Sequence, residues 1–319
     1  MHSDALRKLL YRSSVPEARE CSIAYLTEKL KQFLYPKEKV LICFQNYSYG
    51  NISYLMEQAV IRCSAIPIAL TDDFRWLNML RLAFSEHVGC VIGPPLVLLG
   101  LSKVAKAMRT PLFIRNAVLA GYPCLDWMLT GIENGLDCKS WGCFSIGVDG
   151  MVCGFSCKER EGIHLRDDIY GADIVTDSGI SLQPGYMGYI SIYERDDPTC
   201  RCILQERGML NPKPCSCGQI SPQIIRFLPD GKIDSDLIEL GQSLHRWSSI
   251  LDCRLDKTAY GLEIEIVYFD GERLPKLPTA AKQILRPWNP ETDAPFWYFP
   301  LSQNPMAQLP DTDSRNTAL

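Results

Sequence analysis

Residues 39–148 alternate between short apolar runs and longer segments whose apolar residues recur at helical spacing. The short runs occupy residues 39–45, 65–70, 89–93, 111–119 and 140–148, and the helical segments occupy residues 52–63, 74–88, 96–108 and 125–135. Short apolar runs without alternation are typical of strands buried on both faces, and helices between such strands are typical crossovers of a parallel sheet. The pattern therefore predicts an α/β region with a parallel sheet and crossover helices over residues 1–150.

The pattern changes after residue 150, where short segments of alternating polarity are separated by turn residues. We expect strands at residues 162–168, 173–176, 188–193, 202–205 and 223–228. Such segments favour a small antiparallel sheet or a partial barrel over residues 151–228.

Residues 229–290 contain one helical segment and one strand-like segment, at 237–251 and 261–269. Together these segments predict a short, separate α+β unit. Residues 291–319 are rich in proline and polar residues, which is typical of an extended arm or a disordered tail.

Charge and hydropathy exclude several classes of partner. The net charge of −4 offers no general attraction to phosphate backbones or anionic membranes, so nucleic acid is not an expected partner. The apolar stretch at residues 94–101 is far shorter than the roughly 20 residues of a membrane-spanning helix. Residues 1–8 also lack the apolar core of a secretory signal. We therefore expect a cytoplasmic protein without a membrane span.

Three cysteines and one histidine have the composition of a closed tetrahedral zinc site. Cys157 and His164 flank a short segment in which Gly162 would allow a tight bend, and Cys215 and Cys217 would supply two thiolates from one later turn. Thiolate and imidazole are the preferred ligands of structural zinc. The spacing predicts a zinc ion that joins the start of the antiparallel region to its end. Ordinary cysteines and a surface histidine would give the same spacing.

The remaining cysteines have simpler interpretations. Cys200 and Cys202 could replace one of the four ligands or face solvent on a hairpin, and the hairpin is the favoured interpretation. Cys43, Cys63 and Cys90 stand singly in apolar surroundings, so we interpret them as small core residues.

A series of short motifs between about residue 10 and about residue 270 resembles the phenylacetate-CoA ligase branch of the adenylate-forming ligases. The motifs are Ala120-Gly121-Tyr122-Pro123, Trp141-Gly142, Cys157 with Gly162-Ile163-His164, Pro184-Gly185-Tyr186-Met187-Gly188, Arg207-Gly208 and Cys215-Ser216-Cys217-Gly218-Gln219-Ile220-Ser221-Pro222. The resemblance implies that the zinc ligands are Cys157, His164, Cys215 and Cys217. It also implies that Gly121, Trp141 and Gly142 line a cleft for an acyl group and a nucleotide.

Members of that family use ATP and magnesium to convert a carboxylic acid to an acyl-adenylate, and then pass the acyl group to a thiol such as coenzyme A. This sequence departs from their motifs. Residues 12–17, which match the phosphate-binding loop, contain no glycine. Ser145 stands where the family has a magnesium-binding glutamate, and Met209 stands where it has a ribose-binding aspartate.

The resemblance further implies that a leading domain and the adenylation lysine are missing, with Lys276 and Lys282 as poor substitutes. We therefore expect the ATP-binding machinery to be lost, which makes ATP and magnesium doubtful cofactors. The remaining candidates for a catalytic role are Cys143, Ser145 and Arg207.

Three functions follow from these observations. The first is a non-catalytic, zinc-stabilised protein that binds a protein partner or a second copy of itself, and that keeps a site for a small carboxylic acid or acyl ligand. The second is an enzyme that adenylates or transfers acyl groups by non-standard residues, with Cys143 as an acyl acceptor if its pKa is lowered. The third is a redox or metal-trafficking protein that uses the fourteen cysteines. A missing leading domain would expose apolar surface, which favours association.

Overall fold

The computed structural model describes residues 11, 15–45, 51–70, 73–120, 125–146, 151–228, 235–258 and 261–296. Within them, the helices are α1 (Pro16–Leu30), α2 (Ile52–Arg62), α3 (Trp76–Ser85), α4 (Pro95–Ala107), α5 (Asp126–Leu136) and α6 (Ser235–Arg246). The strands are β1 (Lys39–Ile42), β2 (Ile66–Ala69), β3 (Cys90–Gly93), β4 (Asn116–Ala120), β5 (Lys139–Ile146), β6 (Met151–Ser156), β7 (Ile163–Leu165), β8 (Tyr170–Val175), β9 (Gly188–Glu194), β10 (Asp197–Leu210), β11 (Gln223–Leu228), β12 (Ile250–Thr258), β13 (Gly261–Tyr268) and β14 (Lys282–Pro287). In this part of the chain, every helix is too short or too polar to cross a bilayer.

Eleven strands form one sheet in the order β2-β1-β3-β4-β5-β6-β7-β11-β10-β9-β8. The pairs from β2 to β5 are parallel, and the pairs beyond β5 are antiparallel. Along the chain, a helix connects each of the strands β1 to β4 to the next strand, as parallel pairing requires. The predicted α/β class, with a parallel sheet followed by an antiparallel region, is confirmed.

The antiparallel strands continue the parallel sheet, whereas the sequence predicted a small sheet or barrel beside it. The junction is β5, in which Lys139 to Cys143 pair in parallel with β4 and Cys143 to Ile146 pair antiparallel with β6. One strand therefore belongs to both regions. The sequence did not reveal this because an apolar run does not indicate the direction of its neighbours.

Helices cover both faces of the parallel strands. Val40 of β1 packs into a core under α1 and α2, and the next residue, Leu41, packs into a second core under α3, α4 and α5. Both side chains are fully buried. Because successive residues of a strand point to opposite faces, burial on both sides explains why the sequence shows runs without alternation.

Several segments of the large sheet differ from the prediction, and two of them lie at or next to the parallel strands. The strand predicted at residues 111–119 begins only at Asn116, and residues 111–115 are irregular, with Phe113 exposed. Strand β6 is missing from the prediction. All its residues are buried, so the alternation that marks a half-exposed strand does not occur there.

The C-terminal unit consists of α6 and the sheet β12-β13-β14. The helix predicted at residues 237–251 ends at Arg246, and β12 begins at Ile250. Leu251 stands seven residues after Leu244, which is a helical spacing, although Leu251 lies in β12. Strands β12 and β14 were not predicted. Residues 297–319 of the predicted tail lie outside the described residues, as do residues 229–234. The tail prediction is wrong for residues 291–296, since Asp293 is buried and Phe296 packs against the core under α3, α4 and α5.

Strand β2 forms one edge of the large sheet. The backbone N–H groups of Ile66 and Leu70 donate to carbonyls of Glu38 and Ile42 on the β1 side. Because N–H groups alternate in direction along a strand, Pro67 occupies a position whose nitrogen faces away from β1. A proline has no N–H to offer there, so it protects this edge from pairing with another strand.

Candidate metal centre and adjacent cleft

Four side chains converge beside the neighbouring strands β7 and β11, which lie far apart in sequence within the antiparallel region. Cys157 follows β6, His164 lies in β7, and Cys215 and Cys217 lie in the turn between β10 and β11. The sulfur atoms and one imidazole nitrogen all lie within 4.8 Å of one another. The structure therefore brings together the four residues that the sequence selected.

The first two ligands come from a β-hairpin formed by β6 and β7, in which Phe155 pairs with His164. The left-handed residue of its turn is Arg160, with φ of 56°. Gly162 has a different role from the predicted bend, since a Cβ at this position would lie 2.5 Å from the Ile224 carbonyl oxygen. Gly162 therefore permits the close approach of β11 to β7.

The other two ligands are positioned by the turn that precedes β11. Gly218 adopts φ of +85°, a conformation that favours glycine, directly after Cys217. The pairing of Gln223 with His164 then fixes this turn against the hairpin. Local turn chemistry and strand pairing together place the four donor atoms.

The distances between donor atoms fit a single tetrahedral ion. The sulfur atoms of Cys157 and Cys215 are 3.6 Å apart, and the Cys217 sulfur is 3.3 Å from His164 Nε2. Two sulfurs bound to one zinc ion at about 2.3 Å would be about 3.8 Å apart in a tetrahedron, and a sulfur and a nitrogen about 3.6 Å apart. A small adjustment would satisfy both values.

A second layer of polar groups orients the cluster. Ser221 lies beside His164 Nδ1, with its hydroxyl at 3.1 Å and its carbonyl oxygen at 3.3 Å. A hydrogen bond from Nδ1 to that carbonyl would leave Nε2 as the free acceptor, which is the form a metal requires. The backbone N–H of Gln219 donates to the Cys217 sulfur at 3.4 Å.

The ionisation of the cluster also fits metal binding. Burial lowers the pKa of His164, which keeps the imidazole neutral. Burial raises the pKa of the Cys157 thiol to about 11. Burial also acts to raise the pKa of Cys217, but hydrogen bonds from the Gln219 N–H and the neighbouring thiols outweigh it and lower that pKa. A cation among these groups would favour the thiolates.

These four residues could hold a metal ion and leave it no open position. A tetrahedral ion with four protein ligands has no place for water or substrate, which is the property of structural sites. A metal ion bound here would therefore cross-link the β6–β7 hairpin to the turn between β10 and β11.

Among the cysteines whose side chains the structure describes, the others do not join the cluster. Cys202 is buried in β10, where it pairs with Ile192, so the predicted solvent-facing position is wrong for this residue. The side chain of Cys200 lies outside the described residues. Cys43, Cys63 and Cys90 are buried, as predicted for core residues.

Of the residues predicted to line the nucleotide cleft, Trp141 and Gly142 are described, and they have different surroundings. Trp141 stacks on Phe33 with ring centroids 4.5 Å apart, and its Nε1 donates to Asn116 Oδ1 at 3.0 Å. The indole is thus part of the core under α1 and α2. Gly121 lies outside the described residues, and Gly142 lines a cleft that is described below.

The candidate catalytic residues are also dispersed. Cys143 is 3% exposed in β5, and burial raises the pKa of its thiol to about 12. Ser145, on the same strand, is also buried. Arg207 lies in β10, four strands further along the sheet, with its guanidinium 5.8 Å from the centre of the Tyr189 ring.

A cleft of about 730 Å³ lies on the α5 side of the large sheet. Its walls come from α5, β5, the β6–β7 turn and α6 of the C-terminal unit, and they include Leu129, Gly142, Cys143, Ile163, Gln242 and Arg246. Glu133 accepts a hydrogen bond from the Ser140 backbone N–H at 2.8 Å and forms an ion pair with Arg160. The Arg246 guanidinium lies 5.4 Å from the centre of the Trp127 ring.

The sequence did not identify Glu133, Arg160 or Arg246 as residues of a site. They come from three separate segments, namely α5, the β6–β7 turn and α6. No spacing links them, so only the fold brings them together.

Neither a family model nor a curated protein matches this sequence. Solved structures do match it. A 2-hydroxyisobutyryl-CoA ligase in the postadenylation state is 13% identical, with a TM-score of 0.64, over 86% of this chain and 67% of that one. A benzoate CoA ligase from Burkholderia xenovorans LB400 is 10% identical, with a TM-score of 0.54, over 88% of this chain and 62% of that one. The chain therefore has the fold of adenylate-forming ligases and spans about two thirds of their length.

Proposed function

We propose that this chain is a degenerate adenylate-forming-ligase-like protein that lacks ATP-dependent ligase activity and acts as a zinc-stabilised binding or partner protein. The observation that carries the proposal is the composition of β5. Position 145 of that strand carries a buried serine, where the resemblance requires a carboxylate for magnesium. A hydroxyl without charge is a poor substitute for a ligand of a hard divalent ion.

The packing of Trp141 supports the same conclusion. An aromatic ring that stacks on a nucleotide needs one free face, whereas this indole is 7% exposed, stacks on Phe33 and donates to Asn116. Moving it would break a buried hydrogen bond and an aromatic contact. The side chain is better suited to the core than to ligand binding.

The Cys₃His cluster supports zinc as the resident metal and the phenylacetate-CoA ligase-like branch as the origin of the chain. Three thiolates and an imidazole in a tetrahedral arrangement suit zinc better than the hard ions magnesium and calcium. A zinc ion at this place would tie the β6–β7 hairpin to the turn before β11. We infer that it stabilises the antiparallel region and takes no part in chemistry.

Catalysis through Cys143 is the alternative, and the position of the residue weighs against it. The residue contributes to the cleft wall, but its side chain is almost fully buried in the core under α1 and α2. With a pKa of about 12, the thiol stays protonated at neutral pH. A protonated thiol is a poor nucleophile.

Calorimetric titration tests the loss of ATP chemistry. We expect no binding of ATP at micromolar affinity with magnesium present, because the motif positions offer neither the carboxylate nor the glycine-rich loop. An aromatic carboxylate such as benzoate, titrated without ATP, is expected to bind on its own if the cleft retains an acid site. Magnesium-dependent ATP binding at micromolar affinity would contradict the proposal.

Association with a second copy is the second expectation. Ile61 at the end of α2 and Ile66 at the start of β2 are 49% and 45% exposed, and they lie close in sequence at the same edge of the fold. Because Pro67 blocks strand pairing at this edge, we propose that association uses these side chains. Light scattering at micromolar concentration is expected to give a mass above 36.0 kDa.

The variant Ile61→Asp is expected to shift that mass towards the monomer. Ile180→Asp is the matched control, since Ile180 is 65% exposed in the segment between β8 and β9, away from this edge. A clean monomer for the unaltered chain would rule out self-association, and an equal effect of both variants would rule out the proposed surface.

A further inference from the structure

One lysine of α4 forms hydrogen bonds with the backbone at and just beyond the C-terminal end of α6. The Lys103 ammonium donates hydrogen bonds to the carbonyl oxygens of His245, Trp247 and Ile250, at 2.8, 3.2 and 2.6 Å. An ammonium group has three donors and no acceptor, so these three carbonyls use its full capacity. The last carbonyls of a helix lack partners within the helix, and a cation is favourable there.

The Lys103 ammonium lies among buried polar groups. Although part of the Lys103 side chain reaches the surface, burial of the ammonium lowers its pKa to about 8. His245 is 4% exposed and Asp252 is 8% exposed, and their side chains approach to 4.0 Å. Asp252 also accepts a hydrogen bond from the Phe296 backbone N–H at 2.9 Å. The Lys103 ammonium is therefore part of a buried polar junction between α4 and the C-terminal unit.

Apolar packing reinforces the junction. Leu251 of β12 and Val267 of β13 are buried in the same core as the side chains of α3 and α4. Phe269, Trp288 and Phe296 pack against that core as well. The C-terminal unit thus shares its buried surface with the main sheet, in addition to its own small core.

Two hydrogen bonds hold a second point of contact at the start of α3. The Trp76 backbone N–H donates to the Asp293 carbonyl oxygen at 3.1 Å. The Arg75 guanidinium donates to the Glu291 carbonyl oxygen at 2.6 Å. Contacts at both α3 and α4 restrict rotation of the unit more strongly than one contact alone.

We propose that Lys103 is a clamp that holds the C-terminal unit in one orientation on α4, and that this orientation keeps Gln242 and Arg246 on the wall of the cleft. Both residues lie on α6, within one turn of the carbonyls that Lys103 binds. Release of the helix end would move Arg246 away from Trp127 and open the cleft on that side. The inference does not depend on the loss of ATP chemistry, because it concerns only how the two units are joined.

Hydrogen exchange on the full chain tests the clamp. Lys103→Met keeps most of the apolar side chain and removes the donors. Amide exchange in α6 and β12 is expected to accelerate about ten- to hundredfold, the effect of losing hydrogen bonds from a charged group, while exchange in β1, β3 and β4 stays unchanged. Lys106→Met is the matched control, because Lys106 lies one turn later on α4 and is exposed.

Two results would overturn the inference. If exchange in α6 and β12 stays at the rate of the unaltered chain, apolar packing alone holds the unit. If exchange accelerates equally in the large sheet, the lysine contributes to global stability and not to orientation. Lys103→Gln, which keeps two amide donors, provides a second variant in case Lys103→Met does not fold, and its exchange rates in α6 are expected to be intermediate.

Discussion

Replacing Cys215 with serine is expected to reduce bound zinc from about one ion per chain to almost none, and to lower the melting temperature by about 10 °C or more. A metal that binds only the folded state adds about 4 kcal/mol of stability when its free concentration is a thousand times its dissociation constant. Cys215 is buried, and its sulfur is 3.6 Å from that of Cys157, so its loss leaves an incomplete tetrahedron. Elemental analysis and a thermal melt measure the two effects.

Cys21→Ser is the control for that experiment. Cys21 is exposed on α1 and takes no part in the cluster, so metal content and melting temperature should stay unchanged. Retention of a full zinc ion by Cys215→Ser would refute the assigned ligand set. More than one metal ion in the unaltered chain would instead support metal trafficking through the remaining cysteines.

Replacing Trp76 with alanine is expected to destabilise the fold by about 3–5 kcal/mol, the usual cost of removing a large buried side chain. Trp76 is 1% exposed at the start of α3. A Cβ on Gly100 of α4 would lie only 2.0 Å from the indole, so the ring fills the space above this glycine. Removal of the ring would leave this space empty, and the melting temperature should fall by about 10 °C.

Trp247→Ala provides the matched comparison. Trp247 is 43% exposed, and Lys103 binds its backbone carbonyl oxygen, which the variant keeps, so removal of the indole should cost less than about 1 kcal/mol. Equal effects of the two alanine variants in thermal melts would show that the interface between α3 and α4 does not depend on the buried ring.

The sequence predicts the parallel part of the fold well because strands buried on both faces consist of continuous apolar runs. Val40 and Leu41 point to opposite faces of β1 and are both buried, so neither position tolerates a polar residue. The four members of the Cys₃His cluster were also selected from the sequence, since few residue types can bind zinc and their spacing in tight turns is limited.

The role of β5 could not be predicted in the same way. Trp141 and Gly142 are adjacent in sequence, but one enters the core under α1 and α2 and the other faces the cleft. The period of a strand indicates which residues share a face and does not indicate which face meets a ligand. The cleft residues Glu133 and Arg246 depend on the packing of distant elements, which no local pattern records.

The shared strand β5 also determines how the chain can be divided. A fragment that ends before Lys139 would leave the outer backbone groups of β4 without hydrogen-bond partners, and a fragment that begins there would expose the matching groups of β5. Exchange of either piece between proteins by recombination would create an unpaired sheet edge that can pair with other chains. The parallel and antiparallel regions are therefore expected to be inherited, expressed and degraded as one indivisible unit.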